Sequence, residues 1–188
     1  RAATPAVADA LRHAVLRRER LATDQGVDLL GNNPGPTNIA AGLSTIEEKS
    51  LGAIAKSGSA PIAGVLAYGE APVSPGLYAM DAPAYSPESL TGFVAAGAQL
   101  LLLSTGVGNS YVSQLAPTIK LSANPVAAQR LREQLDFDAS AVFEGRCTPD
   151  DAARDLLELL VDVAGGSLTW GEVLGEGEEV VSRLGEAL

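Results

Sequence analysis

Two adjacent carboxylates and an ammonium group, Glu47, Glu48 and Lys49, lie in the segment GNNPGPTNIAAGLSTIEEKSLG at positions 31 to 52. Ser44 and Glu47 have the spacing of a capping box, in which a hydroxyl and a carboxylate satisfy free backbone N–H groups at a helix start. A carboxylate at this position has two interpretations. It stabilises the helix end locally, or it also faces a ligand or metal, because a helix N-terminus favours oxyanions. The spacing leaves both interpretations open.

The capping box predicts a helix that begins at about Thr45. At roughly 100° per residue, Glu47 lies on the same side of this helix as Leu51 and Ile54, whereas Lys49 points to the other side. We therefore expect Glu47 on an apolar, buried face.

The loop ahead of this helix, GNNPGPTN at positions 31 to 38, concentrates amide and hydroxyl side chains: Asn32, Asn33, Thr37 and Asn38. Its two prolines predict that it has no regular structure. A surface turn explains these side chains. The alternative is that the loop and the helix N-terminus together bind an oxyanion or a polyol.

Two further polar loops follow predicted strands. The first strand is an apolar run typical of a parallel strand covered on both faces, and the second alternates so that Thr118 and Lys120 share one side. The run QLLLL at 99 to 103 precedes STGVGNS at 104 to 110, and PTIKL at 117 to 121 precedes Ser122 to Asn124. Ligands of open α/β sheets bind beyond the carboxyl ends of strands, although a plain turn also explains 104 to 110. Lys120 either protects an edge strand or is a counter-ion for a substrate carboxylate. We expect the loops 32–38, 104–110 and 120–124 to meet in one site.

The alternation of apolar strands with helices predicts an α/β fold of three layers, with a mostly parallel sheet and flanking helices. The predicted domains are an amino-terminal helix (1–25), an α/β core domain (26–146) and carboxy-terminal helices packed on the core (147–188). The predicted strands are 26–30, 61–68, 77–80, 99–103, 117–121 and 136–143. The remaining predicted helices are 4–23, 87–96 with Ser86 as its cap, 125–135, 149–163 with Thr148 as its cap, and 170–184.

The overall charge limits the class of partner. A net charge of −10 and a pI near 4.5 argue against nucleic acid and anionic membranes, which require a basic surface. The single Cys147 forms no internal disulfide and indicates an intracellular protein. With one cysteine and one histidine, His13, a structural Cys/His zinc site is excluded. A bound metal would need carboxylate, amide and water oxygens, which suit a hard divalent cation.

Six segments occur in the order in which they appear in the altronate/galactarate dehydratase family. They are NPGPTN (33–38), GLSTIEEKSLG (42–52), KSG (56–58), VLAYGE (65–70), STGVG (104–108) and PTIKLSAN (117–124). From about Gly26 to about Gly145 the chain resembles the carboxy-terminal domain of those enzymes, and EEKSLG is the most specific part of the match. The first residue, Arg1, leads directly into a helical pattern, so we expect a fragment of a longer protein.

The resemblance implies a cytoplasmic hydro-lyase that eliminates water from an aldonate or aldarate to give a 2-keto-3-deoxy acid. It implies a divalent metal, iron(II) or magnesium, a missing amino-terminal segment and a homo-oligomer, and we expect the fragment alone to be inactive. It makes Glu47 and Glu48 candidates for the base or a metal ligand, and Lys49 or Lys120 for carboxylate recognition. The implied substrate-binding residues are Asn33, Thr37, Asn38, Ser104, Thr105, Gly106, Gly108, Lys120 and Asn124.

Two positions depart from the family pattern. Val107 stands where the family usually has the arginine of TGRG, and Ala84-Tyr85-Ser86 stands where it usually has Gly-Asn-Asp. The missing arginine could have bound a carboxylate with two hydrogen bonds, so a smaller or less charged acid, or loss of activity, is expected. The alternative function is a non-catalytic module that binds a sugar acid or holds an oligomer together, with the chemistry on another segment.

Overall fold

This computed structural model describes residues 1–28, 34–40, 42–83 and 85–181. The chain divides into two compact units, unit 1 (1–83) and unit 2 (84–185). Each unit contains a small sheet, and every described strand pairing is parallel. The predicted α/β class is therefore confirmed, with the difference that the strands form two sheets. The predicted domains 1–25, 26–146 and 147–188 stay a prediction.

The described residues of unit 1 form three helices and two strands. They are α1 (Pro5–Asp24), α2 (Pro36–Ala40), α3 (Ile46–Lys56), β1 (Ile62–Leu66) and β2 (Leu77–Met80). Thr4 caps α1, since its Oγ1 accepts a hydrogen bond from the N–H of Val7 at 3.3 Å. The predictions for α1, β1 and β2 are confirmed to within a few residues.

Two expectations for unit 1 are corrected. Residues 26–28 form a turn and irregular backbone, and the rest of the strand predicted over 26–30 lies outside the described residues. The loop predicted over 31–38 contains the start of α2. Pro36 is the first residue of that helix, where its fixed φ fits and its missing N–H would have no partner within the helix.

Within 85–181, the part of unit 2 that the structure describes, there are three strands and five helices. They are α4 (Ser86–Ala95), β3 (Leu101–Ser104), β4 (Thr118–Ser122), α5 (Pro125–Arg130), β5 (Phe137–Asp138), α6 (Ser140–Phe143), α7 (Pro149–Ala164) and α8 (Trp170–Leu174). The strand order is β3-β4-β5, so β4 lies in the centre. Leu90, Leu101 and Ala116 form a core cluster in this unit. Thr148 caps α7 as predicted, because its Oγ1 accepts from the N–H of Asp151 at 3.1 Å.

Several boundaries in unit 2 differ from the prediction. Ser86 is the first residue of α4, and Tyr85 occupies the cap without a side-chain hydrogen bond. The helix predicted to Leu135 ends at Arg130, and 136–143 contains a two-residue strand and a short helix. β3 is not covered on both faces, because Leu102 is 47% exposed. Along the described chain, no helix has both the length and the apolar composition needed to cross a membrane.

Candidate functional site

The start of α3 is capped one residue later than predicted. Thr45 is the cap residue, and its Oγ1 accepts a hydrogen bond from the N–H of Glu48 at 3.1 Å. The Glu48 carboxylate accepts from both the N–H and the hydroxyl of Ser44, each at 2.8 Å. The predicted Ser44–Glu47 box is therefore wrong. The pair Thr45 and Glu48 has the same spacing, so the sequence pattern alone cannot separate the two registers.

The two glutamates of α3 consequently differ. The backbone N–H and the hydroxyl of Ser44 hold the pKa of Glu48 below its usual value, because both stabilise the charged form. This makes Glu48 a weaker base. The Glu47 carboxylate is exposed and makes no hydrogen bond or ion pair to any described residue.

The apolar side of α3 is exposed, which corrects the expectation of a buried face. Leu51 is 65% exposed and Ile54 is 63% exposed, on the side that also carries Glu47. Amphipathic periodicity predicts which residues share a face but does not determine whether another element covers that face.

Lys49 contacts the polar loop that precedes α3. Its Nζ donates a hydrogen bond to Asn38 Oδ1 at 3.0 Å, and the N–H of Gly35 donates to the same oxygen at 3.1 Å. Two predicted site residues are thus in contact. Thr37 is exposed on α2, and Asn33 lies outside the described residues. The helical wheel only placed Lys49 opposite the apolar side of α3, because a wheel cannot represent contacts with a neighbouring loop.

The carboxyl end of the unit 1 sheet carries a charged cluster that the sequence did not predict. Arg17 Nε donates to Asp81 Oδ2 at 2.8 Å, and Arg18 Nε donates to Asp81 Oδ1 at 3.0 Å. Both arginines lie on α1. Asp81 directly follows β2, so the only sequence signal was an acidic residue at a strand end.

Two of the three predicted site loops meet, at the carboxyl ends of β3 and β4. The N–H of Thr105 donates to the carbonyl of Leu121 at 2.9 Å, and Asn124 Nδ2 donates to the carbonyl of Gly106 at 2.7 Å. The predicted residues Ser104, Thr105, Gly106, Gly108 and Asn124 therefore belong to one cluster. The loop 32–38 is part of unit 1, so its predicted meeting with this cluster stays a prediction.

Gly108 is required by its surroundings. Its φ of 104° favours glycine, and a Cβ there would come within 2.2 Å of Leu131 Cδ1. Its N–H donates to Thr105 Oγ1 at 3.0 Å, which closes the loop on itself.

Arg130 is a residue at this cluster that the sequence analysis missed. Its NH2 group donates to the carbonyl of Val107 at 3.0 Å, at the position where the family usually has an arginine. Arg130 also lines a cavity of about 460 Å³ formed by residues 129–134. The available signal was a basic residue in the last turn of α5.

Lys120 lies in the central strand β4, so its interpretation as a residue that protects an edge strand is wrong. Its side chain is fully buried, and its Nζ lies 2.8 Å from Glu176 Oε2. Its backbone N–H donates to Asp136 Oδ2 at 2.7 Å, while Asp136 Oδ1 accepts from the N–H of Trp170 at 2.7 Å. Asp136 thereby joins β4 to the start of α8.

The divalent metal that the resemblance implies stays a prediction. Within the described ranges, no three His, Cys, Asp or Glu side chains are grouped so that they could hold a metal ion. The Glu48 carboxylate already accepts hydrogen bonds from Ser44. Glu47 is therefore the one carboxylate of α3 that makes no hydrogen bond or ion pair to a described residue.

These features define the class of the protein: an α/β domain with parallel strands and polar loops beyond their carboxyl ends, where open α/β sheets bind ligands. A family model described as "D-galactarate/Altronate dehydratase, C-terminal" matches residues 1–187. The chain therefore belongs to this family, the carboxy-terminal domain of sugar-acid dehydratases, and the resemblance seen in the sequence is confirmed.

Curated relatives have two kinds of name. The chain is 39% identical over 161 residues to the (2R)-sulfolactate sulfo-lyase subunit beta of Chromohalobacter salexigens, which covers 85% of this chain and 41% of the relative. It is 35% identical over 140 residues to the altronate dehydratase of Escherichia coli (74% and 28%). It is 34% identical over 134 residues to the galactarate dehydratase (L-threo-forming) of the same organism (71% and 26%). The chain thus spans less than half the length of these relatives, of which one is named a sulfo-lyase and two are named dehydratases.

Proposed function

We propose that this chain is the carboxy-terminal domain of a hydro-lyase that removes water from an aldonate or aldarate of the altronate or galactarate type. A base takes the proton next to the carboxylate, and the electron pair of that C–H bond expels the neighbouring hydroxyl group. The hydroxyl leaves as water after protonation, and the enol that remains tautomerises to a 2-keto-3-deoxy acid. The dehydratase names of two relatives support this reaction.

The contact between Lys49 and Asn38 is the observation that carries the proposal. An ammonium group held at 3.0 Å by an amide oxygen offers one charge for a substrate carboxylate, beside a polar group suited to sugar hydroxyls. Because the α-proton of a carboxylate is very weakly acidic, the developing charge needs such fixed donors. Glu47 is our candidate for the base, since its carboxylate is exposed and Glu48 is used by the helix cap. Glu47 and Lys49 lie on opposite sides of α3, so the substrate would have to bind across the start of this helix to contact both.

In unit 2, taken by itself, Arg130 is our candidate for a carboxylate contact. Its guanidinium lies at the carbonyl of Val107, so it brings to the loop 104–108 the group that the sequence lacks at position 107. An arginine suits the planar, two-oxygen geometry of a carboxylate. Since one relative is named a sulfolactate sulfo-lyase, a substrate of this chain with a different anionic group also fits the proposal. The divalent cation stays a prediction from the resemblance.

The experiment measures thermal melting of the chain with galactarate, altronate, gluconate and sulfolactate, each with and without magnesium, manganese or iron(II). A ligand raises the melting temperature because it binds the folded state. We expect one class of acid to raise it, and Lys49→Met to remove the shift. Arg12→Met, an exposed arginine on α1, is the matched control and should keep the shift. A chain that responds to none of these acids would contradict the proposal.

A non-catalytic module is the second candidate, and two observations favour it: Glu48 serves the helix cap, and Lys120 already has a counter-ion. Turnover, measured as 2-keto-3-deoxy acid in a protein that contains this domain, separates the two functions. Glu47→Gln should lower the rate by about 10²-fold or more if Glu47 is the base. An unchanged rate, together with retained binding of the acid, would favour the module.

A further inference from the structure

The segment Gly175 to Val181, which we name the strap, follows α8 and belongs to no helix or strand. The sequence analysis predicted a helix through this region, and that prediction is wrong for the described residues. α8 ends at Gly175 with φ 66°, and Gly177 has φ 138°. These left-handed conformations favour glycine, so the two glycines turn the chain out of the helix.

Glu179 fastens the strap to the body of unit 2. One carboxylate oxygen accepts from Thr91 Oγ1 at 2.7 Å, and the other accepts from the N–H of Gln114 at 3.1 Å and from the Ser113 hydroxyl. The N–H of Val180 donates to Thr91 Oγ1 at 3.0 Å. Glu179 therefore accepts three of the hydrogen bonds that hold the strap. Two more hold it at Glu178, because the Tyr111 hydroxyl donates to the Glu178 carbonyl and the N–H of Glu178 donates to the carbonyl of Val112 at 3.2 Å.

Lys120 lies beneath the strap. The exposure of its side chain is 0%, whereas the side chain of its partner Glu176 is 21% exposed. A buried ammonium group requires a paired anion, because an uncompensated charge in the interior is costly. The strap supplies that anion from the solvent side of the ion pair.

We propose that the strap is a lid over Lys120, and that the Glu176 carboxylate occupies the position that the carboxylate of an acid ligand takes when the lid opens. The lid moves at Gly175 and Gly177, whose backbones are the most permissive in the segment. Exchange of one carboxylate for another keeps the buried ammonium paired in both states. The identity of the ligand rests on the proposed function, whereas the opening of the lid does not.

The chain contains only three lysines, Lys49, Lys56 and Lys120, so acetylation of each can be followed separately by mass spectrometry. In the unmodified chain we expect Lys120 to react slowly. Glu179→Ala removes the acceptor that fastens the strap, and Lys120 should then react about tenfold faster or more, as a local opening predicts. An unchanged Lys120 rate in this variant would overturn the lid.

Glu178→Ala is the matched control, because it removes the same charge from an exposed neighbour in the strap. It should leave the Lys120 rate unchanged. The rates of Lys49 and Lys56 separate opening of the lid from unfolding, since unfolding accelerates all three lysines. If Glu179→Ala does not fold, Thr91→Val removes two of the strap's hydrogen bonds and gives the same test.

Galactarate added to Glu179→Ala tests the ligand exchange. Slower acetylation of Lys120 in its presence would support a carboxylate bound at the ammonium group. A fast Lys120 rate that no acid slows would contradict the ligand exchange, while the lid itself would stand. A melting shift that depends on Lys49 would in that case still support the proposed function, so the two failures are distinguishable.

Discussion

Units 1 and 2 differ in how many hydrophobic side chains they bury and in how many acidic residues they carry. Of the ten buried hydrophobic residues in the described chain, only Ala22 lies in unit 1, and the others lie in unit 2. Unit 1 has seven basic and eight acidic residues, whereas unit 2 has six and fourteen. Unit 2 therefore builds its own interior and carries most of the negative charge. Unit 1 holds the EEKSLG motif on a helix whose apolar side is exposed.

The segment most specific to the family, EEKSLG, therefore lies in unit 1, which buries fewer hydrophobic side chains. Elements with few buried apolar contacts open more easily, and binding segments are often drawn from such elements. Unit 2, by contrast, buries a polar row on β4, namely Thr118, Lys120 and Ser122, and pairs the one charge in it.

The largest expected effect follows from core packing. Ile119→Ala should lower the free energy of unfolding by about 4 kcal/mol, because it leaves a cavity at a fully buried position in β4. Leu51→Ala on the exposed side of α3 should cost less than about 0.5 kcal/mol. Urea unfolding measures both. Equal losses would contradict the difference in packing.

The buried ion pair gives the next largest effect. Glu176→Ala should destabilise the chain by about 3 kcal/mol, because it leaves the Lys120 ammonium buried without a partner. Lys120→Met removes the buried charge itself and leaves Glu176, which solvent reaches. This variant should therefore lose clearly less free energy of unfolding than Glu176→Ala. Chemical denaturation of the two variants provides the test, and the reverse order would show that the ammonium group is hydrated in solution.

The stability of unit 2 should fall in acid through Glu179. Burial raises the pKa of this carboxyl, but hydrogen bonds from Ser113, Thr91 and two backbone N–H groups outweigh it and hold the pKa below 4.5. A lowered folded-state pKa stabilises the fold above the ordinary value and loses that contribution as the pH falls through the folded value. Glu179→Gln should therefore flatten the fall of stability below about pH 4.5. A slope identical to that of the parent chain would argue against these hydrogen bonds.

The smallest effect concerns matched helix caps. Thr45 caps α3 in unit 1 and Thr148 caps α7 in unit 2, each through an N–H···Oγ1 hydrogen bond of 3.1 Å. Replacing either by alanine should cost about 1 kcal/mol locally. Hydrogen exchange should register Thr45→Ala mainly in α3 and Thr148→Ala mainly in α7. Acceleration throughout both units after either change would indicate that the units unfold together.

The sequence supported the fold class because its signals are local. Threonine followed by proline predicted the starts of α1 and α7, apolar runs predicted β1 and β3, and the alternation of PTIKL predicted β4, each within a few residues. The carboxy-terminal helix was extended too far because acidic, helix-forming residues continue past Gly175, and the left-handed end of α8 was not anticipated.

The candidate site was predicted less completely. The sequence found Lys49 and Asn38 separately, but their contact depends on how α2 turns back toward α3. The sequence did not indicate that Arg17 and Arg18 bind Asp81, because Asp81 lies more than sixty positions away. It missed Arg130 because the contact with Val107 joins a helix end to a loop.

By itself, the sequence determined the class of fold, the parallel pairing that alternating elements impose, and the family. Periodicity, caps and motif order encode these properties within a few residues of each position. The structure was needed to identify Thr45 as the cap of α3. The packing of the folded chain determined that the face beside Glu47 is exposed and that Lys120 is buried against Glu176. Those outcomes depend on which surfaces meet, and the Lys120–Glu176 pair joins residues 56 positions apart that no local pattern connects.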